Sequence, residues 1–173
     1  MATSNGVRFN RKNLDRLLKR LAIMERKEIR WGFFGAKYGP DNDNMYVATI
    51  ARIQQEGRPK SKGLNFIPPR RFFYENIARV SSNLDTHGVR LEYLIRNAVA
   101  STMHGQTDAA AFEKIGKHLQ TTLKDEIIAF NTPPNAPYTI KLKGKDDPLI
   151  DTGFMLKSVE YRTTLARKTE VTT

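Results

Sequence analysis

The residues best suited to acid–base chemistry form one short run, Asp151-Thr152-Gly153, behind the apolar pair Leu149-Ile150. Aspartic proteases hold a carboxylate in an apolar-Asp-Thr-Gly turn of this kind, and two such turns share a proton across a dimer axis. That arrangement needs a β-rich frame, whereas long stretches of helical spacing precede Asp151 and Phe154 follows the triplet directly. The triplet is therefore read as a turn in which Asp151 or Thr152 caps the next segment and Gly153 serves the backbone. With no cysteine in the chain, disulfides, thiolate metal sites and cysteine nucleophiles are excluded. His87, His104 and His118 are too widely separated for a short metal-ligand motif. No glycine-rich phosphate loop, His-Glu-x-x-His helix or Gly-x-Ser-x-Gly elbow occurs. The expectation is a protein that is not an enzyme and has no cofactor and no metal.

Charge offers a different chemistry. The formal net charge is +11, an excess that concentrates anions near the surface and favours polyanionic partners. One cluster comprises the arginines and lysines between Arg8 and Arg30. A second comprises Arg58, Lys60, Lys62, Arg70 and Arg71, with no acid between Gly57 and Arg71. Lys141, Lys143 and Lys145 add a third, shorter run.

These residues must be positioned by a folded body. At 173 residues, with 39% hydrophobic and 27% charged residues, the chain has the size and composition of one globular domain. No run approaches the roughly 18 apolar residues of a membrane helix. The polar start, Met1 to Arg8, lacks a signal-peptide core, so the protein is expected to remain in the cytoplasm in which it is made.

Leu14, Leu17, Leu18, Leu21 and Met24 predict a helix from about Arg11 to Glu28. Ile29, Trp31 and Phe33 alternate as a strand ending at Gly35. Lys37 to Asn44 reads as a loop, and Val47, Ile50, Ala51 and Ile53 as a short helix, with N-caps offered by Asn42 to Asn44 and a stop at Gly57. A basic loop, 57–66, projects from the domain. Pro68 and Pro69 then hold the chain extended before a helix that starts near Arg70 and turns Phe73, Ile77 and Val80 to one side.

Two cleaner stripes follow. Leu91, Leu94, Ile95, Ala98 and Val99 form one, closed by Gly105. Phe112, Ile115, Leu119, Leu123, Ile127 and Phe130 form the other, opened by Thr107 or Asp108. Residues 135–147 read as irregular. Val159, Tyr161, Thr163 and Leu165 alternate as a last strand, and 166–173 is a polar tail. The fold class is α+β: residues 1–165 form a single domain, with a small antiparallel or mixed sheet of distant strands packed against several amphipathic helices.

Three segments together resemble the tail-completion, or head–tail joining, proteins of long-tailed bacteriophages. Val47 to Gly57 resembles a family helix ending in an acidic residue, a spacer and glycine, here without the spacer. Ile67-Pro68-Pro69-Arg70-Arg71-Phe72 resembles the family's Ile-Pro-x-Arg-x-Phe approach to a helix. Pro148 to Gly153, followed by Ser158 and Tyr161, resembles its turn into the last strand. Gly57, Pro68, Pro69, Arg70, Phe72, Pro148, Asp151, Thr152 and Gly153 are then the structural residues of the motif.

The resemblance implies a structural virion protein of the phage neck, assembled in the host cytoplasm. It implies a homo-oligomeric ring around the DNA channel, a hexamer first and a dodecamer second. The neighbours it implies are a portal-side adaptor or stopper protein and a tail terminator or tail tube protein, with double-stranded DNA in the lumen and no membrane. DNA carries one charge per about 1.7 Å of axis, so a channel suits scattered basic residues that grip no particular sequence. Arg58, Lys60, Lys62, Arg70, Arg71, Lys141, Lys143 and Lys145 are the candidates for contact with DNA or with an adjoining ring. Alternatives are a tail terminator or portal adaptor of the same neck, a sequence-independent nucleic-acid-binding module and, far behind, the aspartic protease.

Overall fold

The longest apolar stripe builds the longest helix, and the rest of the molecule is arranged around it. The computed structural model describes residues 11–61, 65–82, 87–106 and 109–165. Lys62 of the basic loop, Arg8, the Thr107 and Asp108 helix opening, and the tail from Ala166 lie outside them. In order, the described elements are α1 (Arg11–Glu25), β1 (Lys27–Phe33), a 3-10 turn (Pro40–Asn42), α2 (Val47–Glu56), α3 (Phe72–Ser81), α4 (Leu91–Met103), α5 (Ala109–Ala129), α6 (Pro137–Lys143), α7 (Phe154–Lys157) and β2 (Val159–Leu165). The fold is α+β, with seven α-helices and one two-stranded antiparallel sheet among the described residues.

Phe112, Ile115, Leu119, Leu123 and Ile127 of α5, and Phe130 just beyond it, are all buried. Helices α3 and α4 pack on α5, as does the sheet. In the sheet Lys27 pairs with Leu165 and Phe33 with Val159, so the two strands come from opposite ends of the described chain. The sheet approaches α5 closely because position 116 is glycine: a Cβ there would lie 2.1 Å from Cδ2 of Tyr161. Gln120 of α5 donates from Nε2 to the Val159 carbonyl at 2.6 Å, tying helix to strand.

The core has two parts. One gathers Val47, Ala51, Phe72, Leu123, Ile127, Phe130, Leu149, Met155 and Val159; the other is smaller and centres on Ala98, Ile115 and Leu119. Trp31 packs against both, and its indole N–H donates to Asn76 Oδ1 at 3.1 Å, giving the buried Asn76 a partner.

Several expectations are corrected. Helix α1 stops at Glu25 rather than Glu28, because Lys27 already belongs to the strand paired with β2. Asn42 to Asn44 do not cap α2. Its N-cap is Tyr46, and Asp43 and Asn44 adopt left-handed conformations in a turn that the Lys37–Tyr46 bridge closes. Helix α3 buries Phe72 and Asn76, while Ile77 is exposed. On α4 the buried residues are Ala98 and Thr102, and Ile95 and Val99 face outward. Within 135–147 a helix, α6, starts at Pro137, where proline costs no hydrogen bond, and ends at Gly144 in the left-handed region.

Candidate functional site

The three segments that carried the resemblance meet on one side of the molecule. Helix α2 ends at Gly57, whose N–H donates to the Ile53 carbonyl at 2.9 Å and whose backbone has φ 74° and ψ 178°. A Cβ at position 57 would lie 2.8 Å from both the Ile67 carbonyl oxygen and the Pro69 nitrogen. Glycine is thus required twice, for conformation and for the close passage of the Pro68-Pro69 segment. Immediately beyond, Arg58 and Ile67 exchange two backbone hydrogen bonds of 2.8 and 2.9 Å. The described flanks of the basic loop are therefore paired through Arg58 and Ile67, and Lys60 is exposed.

The two prolines turn Arg70 inward and leave Arg71 exposed. Arg70 is only 6% exposed. Its backbone N–H donates to the Gln54 carbonyl at 2.8 Å, Nη1 donates to Gln54 Oε1, and Nη2 donates to Asn135 Oδ1 at 3.2 Å. Of the two roles expected for Arg70, burial favours the structural one over contact with a lumen. The next glutamine works on the following helix: Gln55 Oε1 accepts the Phe73 N–H at 3.0 Å, serving an α3 terminus that its own N-cap, Arg71, leaves without a side-chain cap. Phe72, fully buried, anchors that helix in the core.

The third segment closes the other side. Asn135 donates its backbone N–H to Asp146 Oδ1 at 2.9 Å, so the chain on either side of α6 is pinned together. Lys143 donates to the Asp147 carbonyl at 2.7 Å and Lys145 pairs with the Asp147 carboxylate at 2.8 Å, while Lys141 points to solvent. Pro148 is buried and Leu149 enters the core; Asp151 and Thr152 are exposed. Gly153, at φ 75°, is the N-cap of α7, with Phe154 N–H 3.4 Å from Thr152 Oγ1, and the Phe154 ring lies 5.0 Å from that of Tyr38.

Between these walls run two hollows. The larger, about 830 Å³, separates the paired Arg58 and Ile67 segments from α6; the smaller, about 460 Å³, lies between Tyr38 and the Asp151 turn. They share Gln54, Pro148 and Asp151, so Asp151 stands on the ridge of one groove. Arg58, Arg70 and Lys143 line the larger hollow against a single carboxylate, Asp151, with Phe66, Ile67 and Leu142 as apolar lining. Burial lowers the basicity of Arg70, opposed by nearby Asp146, and burial likewise lowers the Lys143 ammonium, opposed by Asp151. The Tyr38 phenol is pushed up by burial and then by Asp151. Two buried donors in this region, Arg70 Nε and Asn135 Nδ2, have no acceptor among the described residues.

The larger hollow is lined by three cationic side chains and one carboxylate, with Asp146 and Asp147 close to Arg70 and Lys143. Among the described residues Asp151 is the one carboxylate lining either hollow, without the second carboxylate that a shared-proton pair needs. Among the described residues no cluster of His, Asp and Glu is placed to hold a metal ion. Of the expected contact residues, Arg58, Arg70 and Lys143 come together in the groove. Lys60, Arg71, Lys141 and Lys145 stand on the surface outside its lining, and Lys62 lies outside the described residues. Sequence reasoning missed the roles of Gln54, Gln55, Asn135, Asp146 and Tyr38. Uncharged amides carry no local pattern, and Asn135 reaches Arg70 across 65 residues. Comparison with family models, curated proteins and solved structures finds no match to this chain.

Proposed function

We propose that the protein is a structural subunit of the neck of a long-tailed phage, joining head to tail as one copy in a ring around the DNA channel. The observation that carries this reading is the amount of apolar helix surface left outside the core. Helices α1 and α6 bury no residue. Helix α4 leaves Ile95 45% and Met103 57% exposed, with Val99 between them one turn from each. Ile95, Val99 and Met103 recur every four residues and so form one stripe. A stripe of this kind on an otherwise strongly basic chain marks a contact surface rather than a solvated face. The order of the three motif segments, and their convergence on one groove, support the same assignment. A ring needs a head-to-tail interface in which two different patches meet and the rotation closes. A tail terminator or portal adaptor would use the same surfaces at another level of the neck.

Averaged electron-microscopy images of the purified protein, alone and with a neck partner, test the proposal. The expected image is a closed ring with a central opening. A protein that stays monomeric with its partner and occupies an off-axis position in virions overturns it.

A second reading rests on charge. Arg11, Lys12, Arg16, Lys19 and Arg20 are exposed on the first part of α1, a basic surface that suits the phosphate backbone of any duplex. Duplex binding by the isolated monomer, steeply weakened by salt and without ring formation, would favour a sequence-independent nucleic-acid-binding module instead.

A further inference from the structure

The groove between the paired Arg58 and Ile67 segments and α6 has a composition that a channel wall does not need. Its positive groups are recessed. Arg70 is on the floor, with 6% of its surface exposed, and Lys143 is half-buried. Arg58, on the lip, directs its guanidinium to the Asn65 carbonyl through two long contacts of 3.4 Å. Phe66 is 61% exposed and Leu142 is 69% exposed on the two sides of the same hollow. Arg70 and Asn135 are each more than nine-tenths buried, and among the described residues Arg70 Nε and Asn135 Nδ2 have no acceptor.

We propose that this groove is the docking site for an acidic peptide segment of a different protein, one carboxylate reaching Arg58, Arg70 and Lys143 while flanking aliphatic side chains cover Phe66 and Leu142. Three features choose this occupant. A rigid duplex presents its phosphates on a convex surface about 20 Å across and cannot reach a floor group as recessed as Arg70, whereas a side chain can. The apolar walls match the aliphatic part of a peptide and have no counterpart on a phosphate backbone. The lining sets Arg58, Arg70 and Lys143 against one carboxylate, Asp151, so an acidic segment is the complementary occupant. The site stands on its own residues and does not depend on the ring.

The test uses the full chain, labelled with ¹⁵N, and two synthetic probes: acetyl-Leu-Glu-Leu-amide and its Leu-Gln-Leu counterpart. The arginine Nε–H signals of Arg58 and Arg70 and the side-chain amide of Asn135 report on the groove directly. The Glu peptide is expected to shift all three and to bind about tenfold more tightly than the Gln peptide, the ratio of one charge-assisted hydrogen bond. Arg58→Gln, on the lip and outside the core, is expected to weaken the Glu peptide about tenfold with an unchanged melting curve. Equal binding of the two peptides overturns the proposal, as does the absence of shifts at Arg70 and Asn135. Inorganic phosphate producing the same shifts at the same concentration would make the groove a small-anion site and overturn the peptide reading. A short DNA duplex shifting the Arg70 signal would likewise overturn it in favour of DNA.

Discussion

The body around α5 and the outer layer of α1, α4 and α6 are written with similar amounts of leucine, isoleucine and valine but use them differently. On α5 every residue of the stripe from Phe112 to Ile127 is buried against α3, α4 and the sheet. On α4 the inward face is Ala98 and Thr102, with Leu91 and Leu94 packed from the side, and much of the apolar surface faces outward. The α6 residues Tyr138 and Leu142 are among the most exposed large hydrophobics of the described residues. The difference teaches that amphipathicity states only that a face will be covered. Whether the cover belongs to the same chain is decided by which elements reach it.

Substitutions that strike one region and spare the other sharpen the contrast. The largest effect is expected at Leu123, fully buried at the centre of the larger core. Leu123→Ala should lower stability by about 4 kcal/mol in denaturant unfolding, the loss typical of a large cavity at such a site. Gly57→Ala comes next, at about 3 kcal/mol. It combines a glycine-only conformation with a collision against backbone atoms of Ile67 and Pro69, which cannot swing aside as a side chain would. Gly116→Ala should cost about 2 kcal/mol: the Tyr161 ring must move away from α5, and the better helix propensity of alanine offsets only part of that. All three read out in a melting curve, and a loss below about 0.5 kcal/mol in any of them would mean that the body is less tightly fitted than described.

The outer layer should behave in the opposite way. Replacing Ile95 and Val99 together with Ser is expected to change the monomer's stability by less than about 1 kcal/mol, since both side chains are already substantially exposed. The same pair should abolish assembly in light scattering or electron microscopy. Normal assembly would remove α4 from the contact surface; a collapse in melting temperature would place the stripe in the core.

The smallest effect concerns Glu126, a buried carboxylate whose Oε2 accepts from Arg79 Nε at 3.1 Å. Burial raises its pKa above the ordinary glutamate value; Arg79 opposes the rise and Glu75 adds to it. A carboxyl raised in the folded state is favoured there in its protonated form. Its relative stabilisation is fully present below the unfolded pKa and is lost as the pH rises through the folded one. Glu126→Gln should therefore melt slightly higher than the parent at neutral pH, and the difference should shrink as acidification titrates Glu126 above the usual carboxylate range. A gap that widens on acidification would show that the Arg79 contact outweighs burial.

Legibility in the sequence followed the same division. The α5 stripe could be read residue by residue because its partners are all in the chain and its period is uninterrupted from Phe112 to Ile127. The sheet was legible as two alternating segments, and its antiparallel pairing agrees with that reading. The α4 stripe was legible as a helix, but Ile95 and Val99 were expected inside. Helix α6 was invisible because it buries nothing and therefore shows no periodic signal against a core. Gly57 and the Pro68-Pro69 pair were legible as separate stops. Their contact with each other, and the Gln54–Arg70–Asn135–Asp146 chain beneath, depend on residues far apart in sequence and on amides that look like surface residues until the fold brings them together.

The pairing of β1 with β2 has a consequence for how the molecule is made. Ribosomal synthesis delivers Lys27 early and its partner Leu165 only after nearly all of the described chain. Until then β1 has no strand to pair with, and the patch around Gly116 that receives Tyr161 lies open. Contacts of such long range close slowly, because the entropy of a large loop is lost before any stabilisation is gained. Folding of this domain should therefore finish only once β2 has left the ribosome. Nascent chains arrested before β2 should expose α5 to chaperones and proteases, and those carried past Leu165 should abruptly become resistant.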